Sequence, residues 1–255
     1  MEPDLSGQIA LVTGASRGIG AELARALAGC GATVVCTARA TGDGSAGTLA
    51  GTVAAIGAAG GRAEAVPAEL TDPAACEGLV SSIVAGHGRL DILVNNAGIY
   101  PRGPLVTTTP GDWDALMAVN VNAVFDLCHF ASVQMQVQRY GRIINVSSYL
   151  GSQVYPDRLA YAVSKALLDR LSYGLAREVM ADGVQVVAWA PGLTATEMTD
   201  GRGDPVEAVV PSFLWLFTQE PTAFTGRKAE KRGFGETWGP GIAIEPLPER
   251  LTWKD

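Results

Sequence analysis

A single α/β domain built on a doubly wound parallel sheet is the fold that this sequence predicts. The chain has 255 residues, a length that one such domain commonly reaches. Short runs rich in β-branched residues alternate with longer helical stretches, which is typical of parallel strands joined by helical crossovers. The runs are apolar throughout, so we expect helices on both faces of the sheet. The five runs are residues 9–12, 33–35, 91–94, 143–146 and 184–187.

The charge balance indicates a protein that handles small molecules. Lys and Arg number 19 against 26 Asp and Glu, a net charge of −7, which repels nucleic acid and anionic membrane surfaces. No apolar run approaches the roughly 18 residues of a membrane span, and residues 1–8 do not resemble an export signal. We therefore expect a cytoplasmic protein with neither a nucleic-acid nor a membrane partner.

Cysteine and histidine usage argues against a metal site or a disulfide framework. Both kinds of site require clustered or paired ligands. The chain has only two histidines, and its cysteines lie far apart without a CxxC pair. We predict free thiols and no bound metal. The cysteines are Cys30, Cys36, Cys76 and Cys128.

Two stretches interrupt the alternation of strands and helices. Residues 41–61 contain seven glycines, and each glycine inside a helix costs about 1 kcal/mol relative to alanine, so a helix there should be short or mobile. From Pro191 onward prolines and glycines recur, and residues 213–217 form an isolated apolar cluster. We interpret this tail, residues 191–255, as a lid over a ligand site together with edge elements.

A glycine-rich loop follows the first predicted strand and precedes a predicted helix. Residues 13–20 read Thr-Gly-Ala-Ser-Arg-Gly-Ile-Gly. Gly14, Gly18 and Gly20 let the backbone turn sharply and approach a pyrophosphate, and unpaired N–H groups at the helix N-terminus meet its charge. The position between strand and helix favours a dinucleotide-binding loop over a plain turn.

The end of the second predicted strand indicates which dinucleotide is bound. Residues 36–39 carry no acidic side chain of the kind that binds the ribose hydroxyls of NAD. Arg39, with Ser16 and Arg17 of the glycine loop, can instead hold a 2′-phosphate, because a guanidinium pairs well with phosphate oxygens. NADP(H) is therefore predicted over NAD(H), with solvated surface arginines as the open alternative.

Further motifs follow in a fixed order, and the series over residues 5–199 resembles that of one enzyme family. It is similar to the short-chain dehydrogenases/reductases in their short, single-domain form, and among them to NADP(H)-dependent carbonyl and 3-oxoacyl reductases. The resemblance implies a Rossmann fold with a cofactor half at about 5–100, a catalytic half at about 101–190, and the lid and tail beyond. The motifs after the glycine loop are Asn95-Asn96-Ala97-Gly98, Asn120, Ser148, Tyr161-x-x-x-Lys165 and Pro191-Gly192-Leu193-Thr194.

The resemblance also implies which residues contact the cofactor. They lie in the glycine loop, at the ends of the following strands, on the catalytic helix and in the turn after residue 190. The set is Gly14, Ser16, Arg17, Gly18, Ile19, Gly20, Arg39, Glu69, Leu70, Asn96, Ala97, Gly98, Tyr161, Lys165, Pro191, Gly192, Thr194 and Thr196.

Three places depart from the family pattern. Glu69 stands where the family usually has Asp near the adenine, so contacts there are expected to be longer or altered. Residues 187–189 lack the Asn that often precedes the Pro191 turn, which we interpret as structural. Residues 227–233 do not resemble the usual closing strand, which leaves the choice between dimer and tetramer open.

The predicted chemistry needs one acid/base, and Tyr161 has the neighbour for that role. Lys165 is four residues away and shares its helix face, so we expect the ammonium to lower the Tyr161 pKa from about 10 and to let the phenol exchange a proton near neutral pH. Ser148, at a strand end, is predicted to polarise a carbonyl, and strand alternation points Ser147 elsewhere. The resemblance adds a proton relay through Asn120 and binding of the nicotinamide ribose by Lys165.

The expected walls of the substrate site are mostly apolar or aromatic, which predicts a medium-sized hydrophobic or aromatic carbonyl compound. Arg102 has two interpretations, a ligand for a carboxylate or phosphate, or an ordinary surface side chain. Trp215 and Trp238 either close the site or anchor the core or an interface. The walls are Tyr100, Arg102, Tyr149, Leu150, Gln153, Val154, Tyr155, Leu193 and Met198.

The leading functional prediction is an NAD(P)(H)-dependent oxidoreductase that interconverts a ketone or aldehyde and an alcohol. One alternative is a polyol or steroid dehydrogenase working in the oxidative direction, and another is a non-catalytic NADP(H)-sensing protein. The presence of Tyr161, Lys165 and Ser148 argues against the sensor. Helices expected around 111–138 and 157–181 are long enough for the family's four-helix contact between subunits, so we expect a homodimer or homotetramer.

Overall fold

The computed structural model describes residues 2–40, Gly42, Ser45 and 47–244, and these residues form a seven-stranded sheet. The strands are all parallel, in the order β3-β2-β1-β4-β5-β6-β7. Strand order reverses between β1 and β4, the kind of switch point where doubly wound sheets bind ligands. The predicted fold class is confirmed. The strands are β1 Ile9–Thr13, β2 Thr33–Thr37, β3 Arg62–Ala65, β4 Ile92–Asn95, β5 Gly141–Val146, β6 Val184–Ala190 and β7 Arg227–Glu230.

Helices cover both faces of the sheet. One apolar cluster contains residues of α1, α2 and α7, and a second contains residues of α3, α5 and α6. A π-helical turn, Ala118–Asn122, joins α4 to α5, so that residues 110–138 form one continuous helix. The α-helices are α1 Gly18–Gly29, α2 Leu49–Ala58, α3 Pro73–His87, α4 Pro110–Met117, α5 Ala123–Gln138, α6 Leu159–Val179 and α7 Val210–Trp215.

The alternation of side chains along β1 divides the core into its two halves. Ala10 and Val12 belong to the cluster of α1, whereas Ile9 and Leu11 belong to the cluster of α3. Because successive strand residues point to opposite faces, a strand covered on both sides is apolar at every position. Each such large side chain stabilises the fold by about 1.5–3 kcal/mol when fully buried, which accounts for the continuous apolar runs of the central strands.

The two edge strands are absent from the sequence prediction. β3 and β7 are four residues each and carry charged side chains. An edge strand has a neighbour on one side only, so polar side chains remain in contact with water. β7 pairs with residues 187–190 of β6, and residues 227–230 therefore supply a closing strand although their sequence is unlike the family's. The expectation that residues 227–233 lack a closing strand is therefore corrected for residues 227–230.

Residues 213–217 are part of the core and not of a lid. Phe213 and Leu216 are fully buried, and Phe213 packs on Trp189 of β6 with ring centroids 5.4 Å apart. The helix that they form lies against α1. The interpretation of this apolar cluster as a lid element is wrong, because a run of large apolar side chains gains most by burial against the sheet. α2, by contrast, has ten residues and is short, as predicted.

The continuous helix 110–138 is long and apolar enough to cross a membrane, judged by length and composition alone. The sequence prediction does not contain this candidate. Of its most apolar stretch, 44% is buried inside the domain, with Leu127, Ala131 and Met135 among the buried residues. The helix packs on α3 and on the sheet. A helix with one face buried against neighbouring elements is typical of the core of a globular domain.

Candidate active site

The glycine loop between β1 and α1 is folded so closely that side chains cannot enter it. Gly14 and Gly18 have φ of 63° and 55°, in the left-handed region that glycine adopts without strain. A Cβ on Gly20 would lie 2.2 Å from the carbonyl oxygen of Gly14 and 2.4 Å from Nδ2 of Asn96. The loop therefore leaves its backbone open at the N-terminus of α1, where N–H groups can approach an anion.

Asn96 shapes this loop from the end of β4. Its Nδ2 donates to the carbonyl oxygen of Thr13 at 2.9 Å, and its backbone N–H donates to Oγ1 of Thr13 at 2.9 Å. Oγ1 of Thr13 also accepts from the backbone N–H of Ala97 at 3.0 Å. Asn96 and Ala97 thus hold the loop against the end of β4 through hydrogen bonds within the protein.

The turn after β6 lies against the glycine loop. Thr196 is so close to Gly18 that a Cβ there would be 3.3 Å from the Thr196 methyl group. Nε of Arg17 forms an ion pair with Oε2 of Glu197 at 3.2 Å. Thr194 is buried, and its carbonyl oxygen accepts from Oγ1 of Thr199 at 2.6 Å. The structure therefore brings the Pro191–Thr196 region to the loop, where the family resemblance predicts it.

The remaining predicted cofactor ligands differ in what they contact. Arg39 is exposed at the end of β2 and has no partner among the described residues. The backbone oxygen of Ser16 accepts from Oγ1 of Thr52, which ties the loop to α2. Oε1 of Glu69 accepts from N and Oγ1 of Thr71, so this carboxylate is engaged in its own turn. Leu70 and Ile19 pack into the two apolar clusters.

Tyr161 lies in the first turn of α6 and packs against one aromatic neighbour, Tyr100. Its ring meets the ring of Tyr100 edge-on, with centroids 4.5 Å apart. Burial raises the pKa of Tyr161, the nearby Tyr100 raises it further, and a hydrogen bond with Ser148 lowers it. The net direction is upward. The expectation of a lowered Tyr161 pKa is therefore wrong for the protein chain itself, because the loss of water around the phenol outweighs the opposing effect of Ser148.

Lys165 lies one helical turn after Tyr161 and is buried. Its Nζ donates to the carbonyl oxygen of Val146 at 2.8 Å and lies 5.6 Å from the centre of the Tyr161 ring. Burial lowers the pKa of Lys165 to about 8, while the charge of Asp169 acts in the opposite direction. The ammonium is therefore close to the phenol, as predicted. Burial disfavours the charged form of both groups, because it raises the pKa of Tyr161 and lowers that of Lys165.

The two serines at the end of β5 point in different directions, as the strand alternation predicts. Ser148 lies beside the Tyr161 phenol and lowers its pKa, and its Oγ accepts from the backbone N–H of Leu150 at 3.2 Å. Ser147 is buried and donates from Oγ to Oδ1 of Asp169. Ser148 is thus the serine that faces the phenol, whereas Ser147 belongs to the interior.

Asn120 lies in the π-helical turn and connects the two halves of the site. Its Oδ1 accepts from the backbone N–H of Ile99 at 2.9 Å, and its Nδ2 donates to the Ile99 carbonyl oxygen at 3.0 Å and to Oγ of Ser164 at 3.2 Å. Gly98 lies directly beside it. Among the described residues the side-chain amide has no hydrogen bond to Tyr161 or Lys165, and it contacts α6 through Ser164.

A buried charge network under the site is absent from the sequence prediction. Oδ2 of Asp169 pairs with Nζ of Lys228 at 2.8 Å, and both side chains are about nine-tenths buried. Lys228 also donates to Oγ of Ser152 at 2.6 Å and lies 3.6 Å from Glu230. Helix spacing from Lys165 identifies Asp169 as a candidate neighbour, but only the fold brings β7 and Lys228 to it.

Two of the predicted wall residues contact each other, and Arg102 has a structural partner. Tyr149 and Tyr155 meet edge-on at 5.8 Å. Arg102 pairs with Oδ2 of Asp200 at 2.7 Å and donates to the carbonyl oxygen of Met198 at 2.9 Å. Of the two interpretations of Arg102, the structure therefore favours a side chain that ties the loop after β4 to the turn after β6. Of the predicted apolar wall residues, Val154, Tyr155, Leu193 and Met198 are exposed, whereas Leu150 is buried.

Trp215 and Trp238 lie in the core and do not close the site. Their rings are 5.6 Å apart, and both contact Phe224 and Phe234. Nε1 of Trp238 donates to the carbonyl oxygen of Glu230 at 2.9 Å. These aromatic contacts hold the chain after β7 on the domain, which is the second of the roles considered from the sequence.

The glycine loop, α6 and the turn after β6 all lie within a stretch of the chain that matches a known protein family. Residues 8–206 match the family described as short chain dehydrogenase. The chain belongs to the short-chain dehydrogenase family. Family membership makes it an oxidoreductase that acts on alcohol and carbonyl groups.

Relatives of this short-chain dehydrogenase include enzymes with different substrates. The 3-oxoacyl-[acyl-carrier-protein] reductase of Escherichia coli (strain K12) is 38% identical over 205 residues, 80% of this chain and 81% of that protein. Gluconate 5-dehydrogenase of Gluconobacter oxydans (strain 621H) is 39% identical over 196 residues, 77% of this chain and 75% of that protein. A metagenomic short-chain oxidoreductase solved in complex with NADP is 38% identical with a TM-score of 0.78, covering 89% of this chain and 99% of that chain.

Gly20→Ala tests the close packing of the glycine loop in this dehydrogenase. The added Cβ would meet a backbone oxygen and the Asn96 amide, so we expect the free energy of unfolding to fall by about 1–3 kcal/mol. Gly29→Ala, at the other end of α1, is the matched control because nothing lies within 4 Å of its Cβ position, and we expect no loss. Urea denaturation measures both, and equal stabilities would contradict the packing argument.

The buried Lys165 predicts a stability that depends on pH. Its pKa in the folded chain is about 8 against an unperturbed 10.5, so the unfolded chain binds more protons between these values. The free energy of unfolding therefore rises with pH across that window, and the cost of burying the charge is complete below it. Lys165→Met removes this cost, so we expect its stability advantage over the parent chain to be larger at about pH 7 than at about pH 10. An advantage that stays constant in urea titrations at both pH values would contradict the lowered pKa.

Proposed function

We propose that this chain reduces a ketone or aldehyde to an alcohol with NADPH, and that the same site catalyses the reverse oxidation. The observation that carries the proposal is the placement of three groups at the carboxyl end of β5. Ser148 lies beside the Tyr161 phenol and lowers its pKa, and Nζ of Lys165 lies 5.6 Å from the centre of the phenol ring. Contacts from Asn96 and Asn120 link this cluster to the glycine loop.

Each group has one task in the proposed reaction. The bound nicotinamide supplies the hydride. The Ser148 hydroxyl donates a hydrogen bond to the carbonyl oxygen and orients it, and Tyr161, whose raised pKa keeps it protonated at neutral pH, donates its proton to the alkoxide that forms. Lys165 is mostly charged below its pKa of about 8, so it stabilises the phenolate that remains and can also bind the ribose. Asn120 would hold the water through which that phenolate regains a proton.

The glycine loop and Arg39 support NADP(H) as the cofactor. The loop admits no Cβ at Gly20, as a backbone cradle for a pyrophosphate requires. Arg39 has no carboxylate partner among the described residues, so its guanidinium is available for a 2′-phosphate. Ser16 and Arg17 lie in the same loop, and a related structure was solved in complex with NADP.

Arg39→Asp tests the cofactor assignment. A carboxylate at this position would repel the 2′-phosphate and accept hydrogen bonds from ribose hydroxyls. We expect the ratio of kcat/KM for NADPH over NADH to fall by about 100-fold or more, because two charge-assisted interactions are affected. Steady-state kinetics with both cofactors measures this ratio. If Arg39 is only a solvated surface residue, the ratio will not change.

A carbonyl panel with NADPH tests the reaction itself. Loss of NADPH absorbance, together with identification of the alcohol product, is the expected result. NADP⁺ with a matching panel of polyols and sterols distinguishes a dehydrogenase that works in the oxidative direction. Tight NADPH binding without turnover of any aldehyde, ketone or alcohol would instead identify the cofactor-sensing protein.

We also propose that the chain forms a homodimer or homotetramer through α5 and α6. Phe125, His129, Val133 and Val137 follow one another at four-residue intervals on α5, and Phe125, Val133 and Val137 are more than half exposed. A stripe of this kind on a long helix is suited to a symmetric contact with a second copy. Light scattering at several concentrations tests the proposal, and a monomer throughout would contradict it.

A further inference from the structure

Arg158 lies at the mouth of the proposed carbonyl site, immediately before α6 begins. Its guanidinium carbon is 5.5 Å from the centre of the Tyr100 ring, and that ring packs edge-on against Tyr161. The charge of Arg158 also acts on Tyr149, the residue after Ser148, where it opposes the effect of burial. The guanidinium therefore stands between the two aromatic walls of the site.

The positive charge of Arg158 is not neutralised by the protein. One guanidinium nitrogen donates to the backbone oxygen of Asp157 at 2.7 Å, and among the described residues no carboxylate forms an ion pair with it. The other arginines near the mouth are paired. Arg102 binds Asp200, and Arg232 binds Glu230. Among these three arginines, Arg158 is the one whose charge is not paired with a carboxylate of the described residues.

We propose that Arg158 binds a carboxylate carried by the substrate, so that the preferred substrates are oxo acids and the corresponding hydroxy acids. The inference rests on the proposed reductase function and names its substrate class. The planar guanidinium matches the two oxygens of a carboxylate. The Tyr100 ring fixes the guanidinium and limits its contact with water, which strengthens its attraction for an anion.

Replacement of the Arg158 side chain should leave the fold intact. The side chain makes no hydrogen bond to the first turn of α6. The helix begins through the backbone oxygen of Arg158, which accepts from the N–H of Ala162 at 2.8 Å, and this contact does not depend on the side chain. Arg158→Gln and Arg158→Lys therefore change charge and shape at the mouth while Tyr161, Ser148 and Lys165 stay in place.

The test compares an oxo acid with its methyl ester on the same carbon skeleton, with NADPH as reductant. In Arg158→Gln we expect kcat/KM for the acid to fall by about 10–100-fold, the range of one charge-assisted interaction. The ester should change by less than about threefold, since it carries no charge for Arg158 to bind. Arg158→Lys should retain part of the preference for the acid, because lysine keeps the positive charge but lacks the planar group that forms two parallel hydrogen bonds to a carboxylate. Arg25→Gln, which removes an arginine paired with Glu22 on α1, is the matched control and should leave the acid-to-ester ratio unchanged.

Two outcomes would overturn the inference without affecting the reductase proposal. One is an acid-to-ester ratio that is the same in Arg158→Gln and the parent chain. The other is a preference for the acid that does not weaken at all as salt concentration rises, because Arg158 is only partly buried and salt still screens part of its attraction for an anion. If the parent chain turns over no carbonyl compound, the reductase proposal fails, and calorimetric titration of the oxo acid into the NADPH-saturated protein still tests Arg158. Equal affinity in Arg158→Gln and the parent chain would then refute the carboxylate site, and weaker binding in Arg158→Gln would support it.

Discussion

Tyr161→Phe is expected to lower kcat for carbonyl reduction by about 10²–10⁴-fold, the usual contribution of a general acid. The phenylalanine ring keeps the contact with Tyr100 but has no proton for the alkoxide. NADPH binding should change little, because the glycine loop and Arg39 are untouched. Stopped-flow measurement of hydride transfer, together with fluorescence titration of NADPH, separates the two effects.

Tyr140→Phe is the matched control for this substitution. The Tyr140 hydroxyl contacts Gln8 and Arg142 at the opposite end of β5, so its removal should leave kcat within about twofold of the parent value. If Tyr161→Phe weakened NADPH binding as strongly as it lowered kcat, the role of Tyr161 would be structural. If it kept full activity, another group would be the acid.

Asp169→Ala is expected to lower the free energy of unfolding by about 3–5 kcal/mol, since it takes from the buried Lys228 ammonium its nearest carboxylate at 2.8 Å and leaves it the more distant Glu230 at 3.6 Å. The Lys228 side chain is 10% exposed and the Asp169 side chain 8%, so water cannot replace the lost carboxylate. Ser147 would lose its acceptor as well. Urea denaturation followed by circular dichroism measures the change.

Two further variants distinguish a buried ion pair from ordinary loss of packing. Glu22→Ala removes a surface pair with Arg25 and should cost at most about 1 kcal/mol. The double variant Asp169→Leu/Lys228→Met replaces both charges by apolar groups and should recover most of the stability lost in Asp169→Ala. A double variant as unstable as the single one would mean that shape, and not charge, controls this part of the core.

The central strands could be predicted from the sequence, whereas the edges could not. β1, β4, β5 and β6 are covered on both faces, so their composition alone reports their burial. β3 and β7 lie at the edges, where charged residues such as Arg62 and Lys228 are compatible with strand geometry. These two segments are strands because they pair with β2 and β6. That pairing depends on the whole fold and cannot be predicted from the local sequence.

The site was predictable where its residues are close in the chain or ordered by a known motif. Helix spacing places Lys165 beside Tyr161, and strand alternation separates Ser148 from Ser147. The direction of the Tyr161 pKa shift could not be obtained in this way, because it depends on how much water the folded chain excludes. The same holds for Lys228, whose pairing with Asp169 joins two segments distant in sequence.

The π-helical turn at Ala118–Asn122 has a consequence for the outer surface of the protein. Each residue added to a helix rotates everything after it by about 100° about the helix axis. The extra residue of the turn therefore sets the orientation of all of α5, including Phe125, while it also directs the Asn120 amide towards Ile99. A deletion of one residue here would rotate the exposed stripe of α5 towards the interior and withdraw the amide at the same time, so the proposed reaction centre and the proposed subunit contact would change together.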